Sequence, residues 1–192
     1  MGQLQFNDEN HEYSLDGLKL PSVTQIIKEI LPTYTNVSMD ILEYKADIGR
    51  KVHLATELYD MDELDMDNLD LCLQEYLDGW IKFKEDYQFV VKEIEVMLYH
   101  PIYLFTGRID RIGTLGNDKV LLDIKSGMQQ KTDIIQTAGY QILYDEWKKP
   151  VEQIKKRMCI YLKGGGYKVR MHTDKTDRNI FLSCLSVYNF KK

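Results

Sequence analysis

The stretch TGRIDRIGTLGNDKVLLDIKSG, residues 106–127, constrains this chain more than any other. Two runs rich in aliphatic residues flank the short turn Leu115–Asp118, which reads as an antiparallel hairpin. Each run carries charge in its interior: Asp110 in the first, Asp123 and Lys125 in the second. A charge inside a strand is costly unless something pairs with it or ligates it. Side chains two apart share a face of a strand. Asp123 and Lys125 therefore point one way, while Leu122 and Ile124 point into a core on the other. The turn can bring Asp110 across from Asp123. Two carboxylates converging there repel unless a cation lies between them. Hard oxygen ligands on a rigid sheet suit magnesium or manganese. An ammonium beside such an ion, Lys125, can hold a nucleophile and balance charge growing on a phosphate.

The rest of the chain supplies partners. A helix is expected from Ser38 to about Tyr59, with Ile41, Tyr44, Ile48, Val52, Ala55 and Tyr59 forming one apolar stripe. Beside it, at intervals of four, run Gly49, His53 and Glu57. His53 can add a nitrogen ligand, and Glu57, one turn on, can bind directly or through water. After Gly127 a helix is expected over 133–147, where Gln136 and Tyr140 present to one side and can orient Lys125, a water or a phosphate.

The remaining pattern is that of one α/β domain spanning 1–192, with a mixed sheet flanked by helices. Asp16–Gly17 marks a hairpin turn, and Ser22 and Pro32 bound a short helix. A third helix fits 68–87, with Leu73, Tyr76, Leu77, Trp80, Phe83 and Tyr87 inward. FVVKEIEVMLYH alternates as a strand, and KKRMCIYLKGGGYKVRMH forms a hairpin with a glycine tip. DRNIFLSCLSVYNF closes as a helix with Ile180, Cys184 and Val187 inward.

Cys72, Cys159 and Cys184 are too few and too widely spaced for a zinc or iron–sulfur site and are expected reduced and buried. No apolar run approaches the roughly 18–20 residues of a membrane helix, and the start lacks a secretory pattern, so a cytoplasmic location is expected. The net charge of −5 argues mildly against binding nucleic acid through the overall field. The charges are segregated, however. YDMDELDMDNLD (59–70) is acidic throughout and reads as a solvated loop, whereas 148–157 and 163–170 are basic-rich. Lys163, Lys168 and Arg170 around the glycine tip are candidate contacts to a DNA backbone.

GRKVH, GRID, DIKSG and QTAGY, in that order, resemble the motif series of the PD-(D/E)XK nuclease superfamily, most closely its RecB-type and phage-exonuclease branch. Gly49 and His53 match the first motif, Gly107 and Asp110 the second, Asp123, Lys125, Ser126 and Gly127 the third, and Gln136 and Tyr140 the fourth. The resemblance covers most of residues 10–170. It implies a restriction-endonuclease-like core, a Mg2+ or Mn2+ ion and phosphodiester hydrolysis. His53, Asp110, Asp123 and the backbone carbonyl of Ile124 would be the ligands, and Lys125 would position the attacking water. Some relatives hold an iron–sulfur cluster on four cysteines; this chain lacks them, so no cluster is expected. Family members often carry a glutamate on the strand before Asp110, here Glu93 or Glu95.

The expected activity is that of a metal-dependent deoxyribonuclease, an exonuclease of phage or mobile-element DNA recombination, repair or replication. Its partner would be DNA, as a duplex end or a single strand. A recombination or single-strand-binding protein and self-assembly are further candidate partners. A non-catalytic module that keeps the fold and binds DNA or a partner is the alternative, with an RNA endonuclease as a third.

Overall fold

The computed structural model of the chain describes residues 2–7, 10–32 and 37–192. Near the N-terminus, β1 (Leu4–Asn7), β2 (Glu12–Leu15) and β3 (Leu18–Leu20) form a small antiparallel sheet. The β2–β3 turn is Asp16–Gly17, both at positive φ, as the residue pair requires. Helix α1 (Val23–Ile30) starts on a capping box. Ser22 Oγ accepts the Gln25 N–H, and Gln25 Oε1 accepts the Ser22 N–H, an arrangement worth about 1 kcal/mol.

Helices α2 (Met39–Asp60) and α3 (Leu71–Tyr87) follow, joined by an acidic loop with one 3-10 turn. Then come β4 (Val90–Tyr99), β5 (Thr106–Leu115) and β6 (Asp118–Lys125), helix α4 (Asp133–Glu146), β7 (Lys156–Lys163), β8 (Gly166–His172) and helix α5 (Asp177–Phe190). The five strands lie in sequence order. All pairs are antiparallel except β6 and β7, which α4 connects as a crossover.

Two apolar cores sandwich this mixed sheet. On one face Phe105, Ile109, Ile112 and Leu121 pack with residues of α1, α4 and α5. On the other, Val120, Leu122, Ile124, Met158 and Ile160 pack with Val52 of α2 and Leu73, Leu77, Trp80 and Phe83 of α3. No helix among the described residues is long and apolar enough to cross a membrane.

Several sequence expectations are revised by packing. The apolar stripe of α2 is buried only in its second half: Val52 and Ala55 are core, whereas Ile41 and Tyr44 stand 53% and 62% exposed. Tyr87 of α3 is also largely exposed. In α5 the inward stripe is Phe181, Cys184 and Leu185, while Ile180 and Val187 face out. Cys72 is exposed; Cys159 and Cys184 are buried. The acidic stretch is not solvated throughout, because the Asp60 carboxylate is sealed inside.

One irregularity positions the site. Strand alternation predicts that residues three apart face opposite ways. Yet Ile109 and Ile112 of β5 enter the same core, on the α4 face. In β4, Val96 packs on that core and Glu93, three residues earlier, reaches Tyr144 of α4. Both strands are thus turned at one level, where Glu95 in β4 and Asp110 in β5 lie between the flanking pairs Ile94↔Arg111 and Val96↔Ile109. Glu95 absorbs the turn with φ +48°, a left-handed conformation that costs a non-glycine residue about 1–2 kcal/mol. Pairing of β5 with β6 ends at the same level, with Arg111↔Leu122.

Candidate active site

The site lies where β5 leaves β6. Continuing the β5–β6 register would set Asp110 opposite Asp123. Instead the Asp110 carboxylate takes a place in the ladder itself: Oδ2 accepts the Ile124 N–H at 2.6 Å. Its other oxygen, Oδ1, lies 3.6 Å from His53 Nδ1, and His53 Nε2 lies 3.0 Å from the Ile124 carbonyl. The last turns of α2 pack by Val52 and Ala55, which directs His53 at the end of β6. Gly49, one turn earlier, passes close to Ser126.

The turn in β4 delivers Glu95 to the same spot. Ligand atoms of His53, Glu95 and Asp110 all lie within 4.8 Å of one another. Burial pushes the Glu95 carboxyl up to about 7, and the Asp110 charge adds to the shift. Glu57 also bears on Glu95 through its charge. Glu93, the other candidate on this strand, is elsewhere: it accepts a hydrogen bond from the Tyr144 hydroxyl and lies near Lys148.

Asp123 and Lys125 extend from β6 toward α4. Lys125 Nζ lies 2.8 Å from Asp123 Oδ2 and donates to Gln136 Oε1 at 2.8 Å. Gln136 Nε2 lies 3.0 Å from Asp123 Oδ1 and 3.1 Å from the Tyr140 hydroxyl. The four-residue spacing of Gln136 and Tyr140 thus closes one polar chain, as their place on a single helix face implies. Gly107 makes room for it, since a Cβ there would stand 2.8 Å from the Tyr140 ring. Asp123 stands beside the His53–Glu95–Asp110 group rather than within it.

The electrostatics tie the two halves together. Burial raises the Asp123 carboxyl, Lys125 pulls it down, and Asp110 pushes it up again, with a net rise. Burial opposes the Lys125 charge, but the adjacent Asp123 outweighs it and holds the ammonium well above the ordinary lysine range. Lys125 is therefore a donor, not a base. Tyr140 is raised by burial and then by both carboxylates, so its phenol stays protonated.

The donor set fits a hard divalent cation. Three groups offer oxygen or imidazole nitrogen within one ion's reach, and burial together with the Asp110 charge disfavours the ionised Glu95 carboxyl until a cation balances it.

Two participants were not singled out from the sequence. Arg111, fully buried, donates to Asp60 Oδ2 at 2.7 Å, to Glu95 Oε1 at 3.3 Å and to its neighbour's carbonyl at 2.7 Å. Asp60 also takes the Trp80 indole N–H at 3.0 Å and Lys84 at 2.5 Å. The signal lay in RIDRI, where a second charge follows Asp110 directly, but nothing local identified its partner.

The glycine-tip cations share the Asp123 face. Across the sheet, Asp123 pairs with Cys159 and Cys159 with Arg170; Lys125 pairs with Tyr161 and Tyr161 with Lys168. Laterally paired residues share a face, and two strand spacings amount to about 10 Å. Lys163 lies two residues beyond Tyr161 on the same side, exposed like Lys168, with Arg170 half-buried.

No family model and no curated protein matches the chain. Among solved structures, SSO0001 aligns with a TM-score of 0.40 and 13% identity, over 88% of this chain and 84% of that one. The "Putative exonuclease" of Eubacterium rectale aligns with a TM-score of 0.58 and 13% identity, over 90% of this chain and 79% of that one. The chain is thus a mixed α/β protein, a five-stranded sheet flanked by helices, that shares the fold of this Eubacterium rectale protein.

Proposed function

We propose that the chain is a divalent-metal-dependent deoxyribonuclease of the PD-(D/E)XK superfamily, RecB-type and phage-exonuclease branch, acting as an exonuclease in phage or mobile-element DNA recombination, repair or replication. The observation that carries this reading is the convergence of His53, Glu95 and Asp110 within 4.8 Å, beside the Asp123–Lys125–Gln136 chain. The order of the four motifs and the fold shared with a protein named as an exonuclease support it.

His53, Glu95 and Asp110 would hold Mg2+ or Mn2+. Asp123, beside that group, and the Ile124 carbonyl would join as ligands only by turning toward the ion. Bound there, the ion supplies Lewis-acid stabilisation of the phosphodiester oxygens. Lys125, kept charged by Asp123, donates to the incoming water and to the phosphate as negative charge grows in the in-line displacement. Gln136 fixes both Lys125 and Asp123, and the protonated Tyr140 phenol keeps the Gln136 amide oriented. Lys163, Lys168 and Arg170 carry the backbone away across the sheet through phosphate contacts.

The test is release of nucleotides from linear duplex and single-stranded DNA by the purified chain with Mg2+ or Mn2+, against an EDTA control. Metal-dependent release is expected. A chain that binds Mn2+ and hydrolyses no DNA overturns the proposal, and one that hydrolyses only RNA overturns its substrate.

A further inference from the structure

Two residues along β5 from Asp110, Arg108 pairs across the sheet with Met97, itself two residues along β4 from Glu95. Val96, Leu98 and Ile109 pack on the α4-side core, so Met97 and its partner Arg108 face the other way. That is the side from which His53 of α2 reaches Asp110, about 6–7 Å along the strands from Glu95 and Asp110. Met97 and Arg108 form the floor of an open cleft of about 700 Å³, walled by β1 through Leu4, Phe6 and Asn7.

Arg108 is half-buried, and among the described residues it forms no ion pair, whereas the three carboxylates of the adjoining site, Glu95, Asp110 and Asp123, are each within ion-pair distance of another residue. What holds it is stacking: its guanidinium lies 4.4 Å from the centre of the Phe6 ring. Phe6 is itself braced by Tyr13 at 4.6 Å and by the edge of His11 at 5.1 Å. Stacking fixes the plane of a guanidinium while leaving its N–H fork free. A cation withheld from the carboxylates, oriented by an aromatic ring and opening on a cleft, is suited to an anion with two acceptor oxygens.

We propose that Arg108, on the Phe6 platform, binds the substrate phosphate next to the scissile one, through a two-pronged contact in the cleft beneath β1. This rests on the nuclease reading and adds to it a phosphate subsite at a fixed place along the strand. The cleft and the carboxylate cluster share one sheet face, about one nucleotide step apart. Phosphates bound in the two places therefore belong to a single backbone.

The experiment measures binding of a short single-stranded oligonucleotide in Ca2+ to the full chain, to Arg108→Gln and to Arg108→Lys, with methylphosphonate replacing each phosphate in turn. Arg108→Gln is expected to bind about tenfold or more weakly and to lower the slope of log K against log salt by about 0.7. One methylphosphonate position, adjacent to the bond cleaved in Mg2+, weakens the wild type and leaves Arg108→Gln unchanged. Arg108→Lys, keeping charge without the fork, loses affinity at that same phosphate and no other, which decides the matter if the glutamine variant is poorly folded. Identical methylphosphonate profiles in wild type and both variants overturn the subsite while hydrolysis stands. Absence of hydrolysis with an Arg108-dependent phosphate overturns the nuclease reading alone.

Discussion

Asp60, the last residue of α2, and Arg111, in the middle of β5, form an ion pair at 2.7 Å with both side chains sealed from solvent. Arg111 passes this anchorage to Glu95, which its second amine reaches at 3.3 Å. Removing one partner leaves the other buried with one remaining charge, Lys84 for Asp60 and Glu95 for Arg111. The cost therefore falls toward the lower end of the range for an uncompensated buried ion, about 3–5 kcal/mol. Asp60→Asn and Arg111→Met are each expected to destabilise by that order in urea denaturation. The loss in the double variant should be well below the sum of the two, as a double-mutant cycle would read.

Lys125→Ala is expected to lower the rate of DNA hydrolysis by about 100-fold or more, the scale of losing one charge-stabilising donor. Affinity for DNA in Ca2+ should change little, because the donation from Lys125 to the phosphate strengthens only as charge grows in the transition state. Lys125 holds its proton, so the rate of the wild type should show no fall attributable to its deprotonation up to pH 10. Single-turnover rates across pH test both statements.

A cation seated among His53, Glu95 and Asp110 should stabilise the fold by mass action. At a hundredfold excess over its dissociation constant the gain is about 2.7 kcal/mol. A Mn2+ titration followed by thermal melting is expected to raise the midpoint of the wild type and to leave Asp110→Asn nearly unmoved. Equal shifts in both would remove Asp110 from the ligand set.

Gly107→Ala places a methyl 2.8 Å from the Tyr140 ring and 3.1 Å from Leu143. Overpacking of this kind costs about 1–3 kcal/mol. Tyr140 must shift, and with it the Gln136 amide that joins Asp123 to Lys125. Hydrolysis is therefore expected to fall further than the loss of stability explains, measured at a temperature where the variant remains folded.

His172 is buried with Nδ1 against the Thr137 hydroxyl at 2.9 Å and Nε2 without a partner among the described residues. Burial first, then the Arg157 and Arg170 charges, lower it to about 4, with Asp177 and Asp123 opposing. The folded state thus disfavours a proton that the unfolded chain accepts near 6.5. Its contribution is fully present above pH 6.5 and is lost as pH falls toward 4, by about 3 kcal/mol at most. Stability of the wild type should fall more steeply over that window than that of His172→Phe, by up to this difference.

The chain's own periodicity determined much of this. Period two in DIKSG places Asp123 and Lys125 on one face, and intervals of four place Gln136 beside Tyr140 and Gly49 in line with His53. The Asp16–Gly17 turn and the Ser22 cap are equally local, since each depends on atoms within a few residues. Tertiary structure alone set Glu95, and not Glu93, beside His53 and Asp110. The turn at φ +48° reverses the facing of β4 in mid-strand, which no alternation rule registers. It decided that Asp60 leaves the acidic loop for Arg111, 51 residues away. It also decided that α2 buries half its stripe and that α5 turns Phe181 rather than Ile180 inward. Backbone geometry repeats along a chain, so facing is written locally. Which partner arrives at a face is settled only by packing between segments distant in sequence.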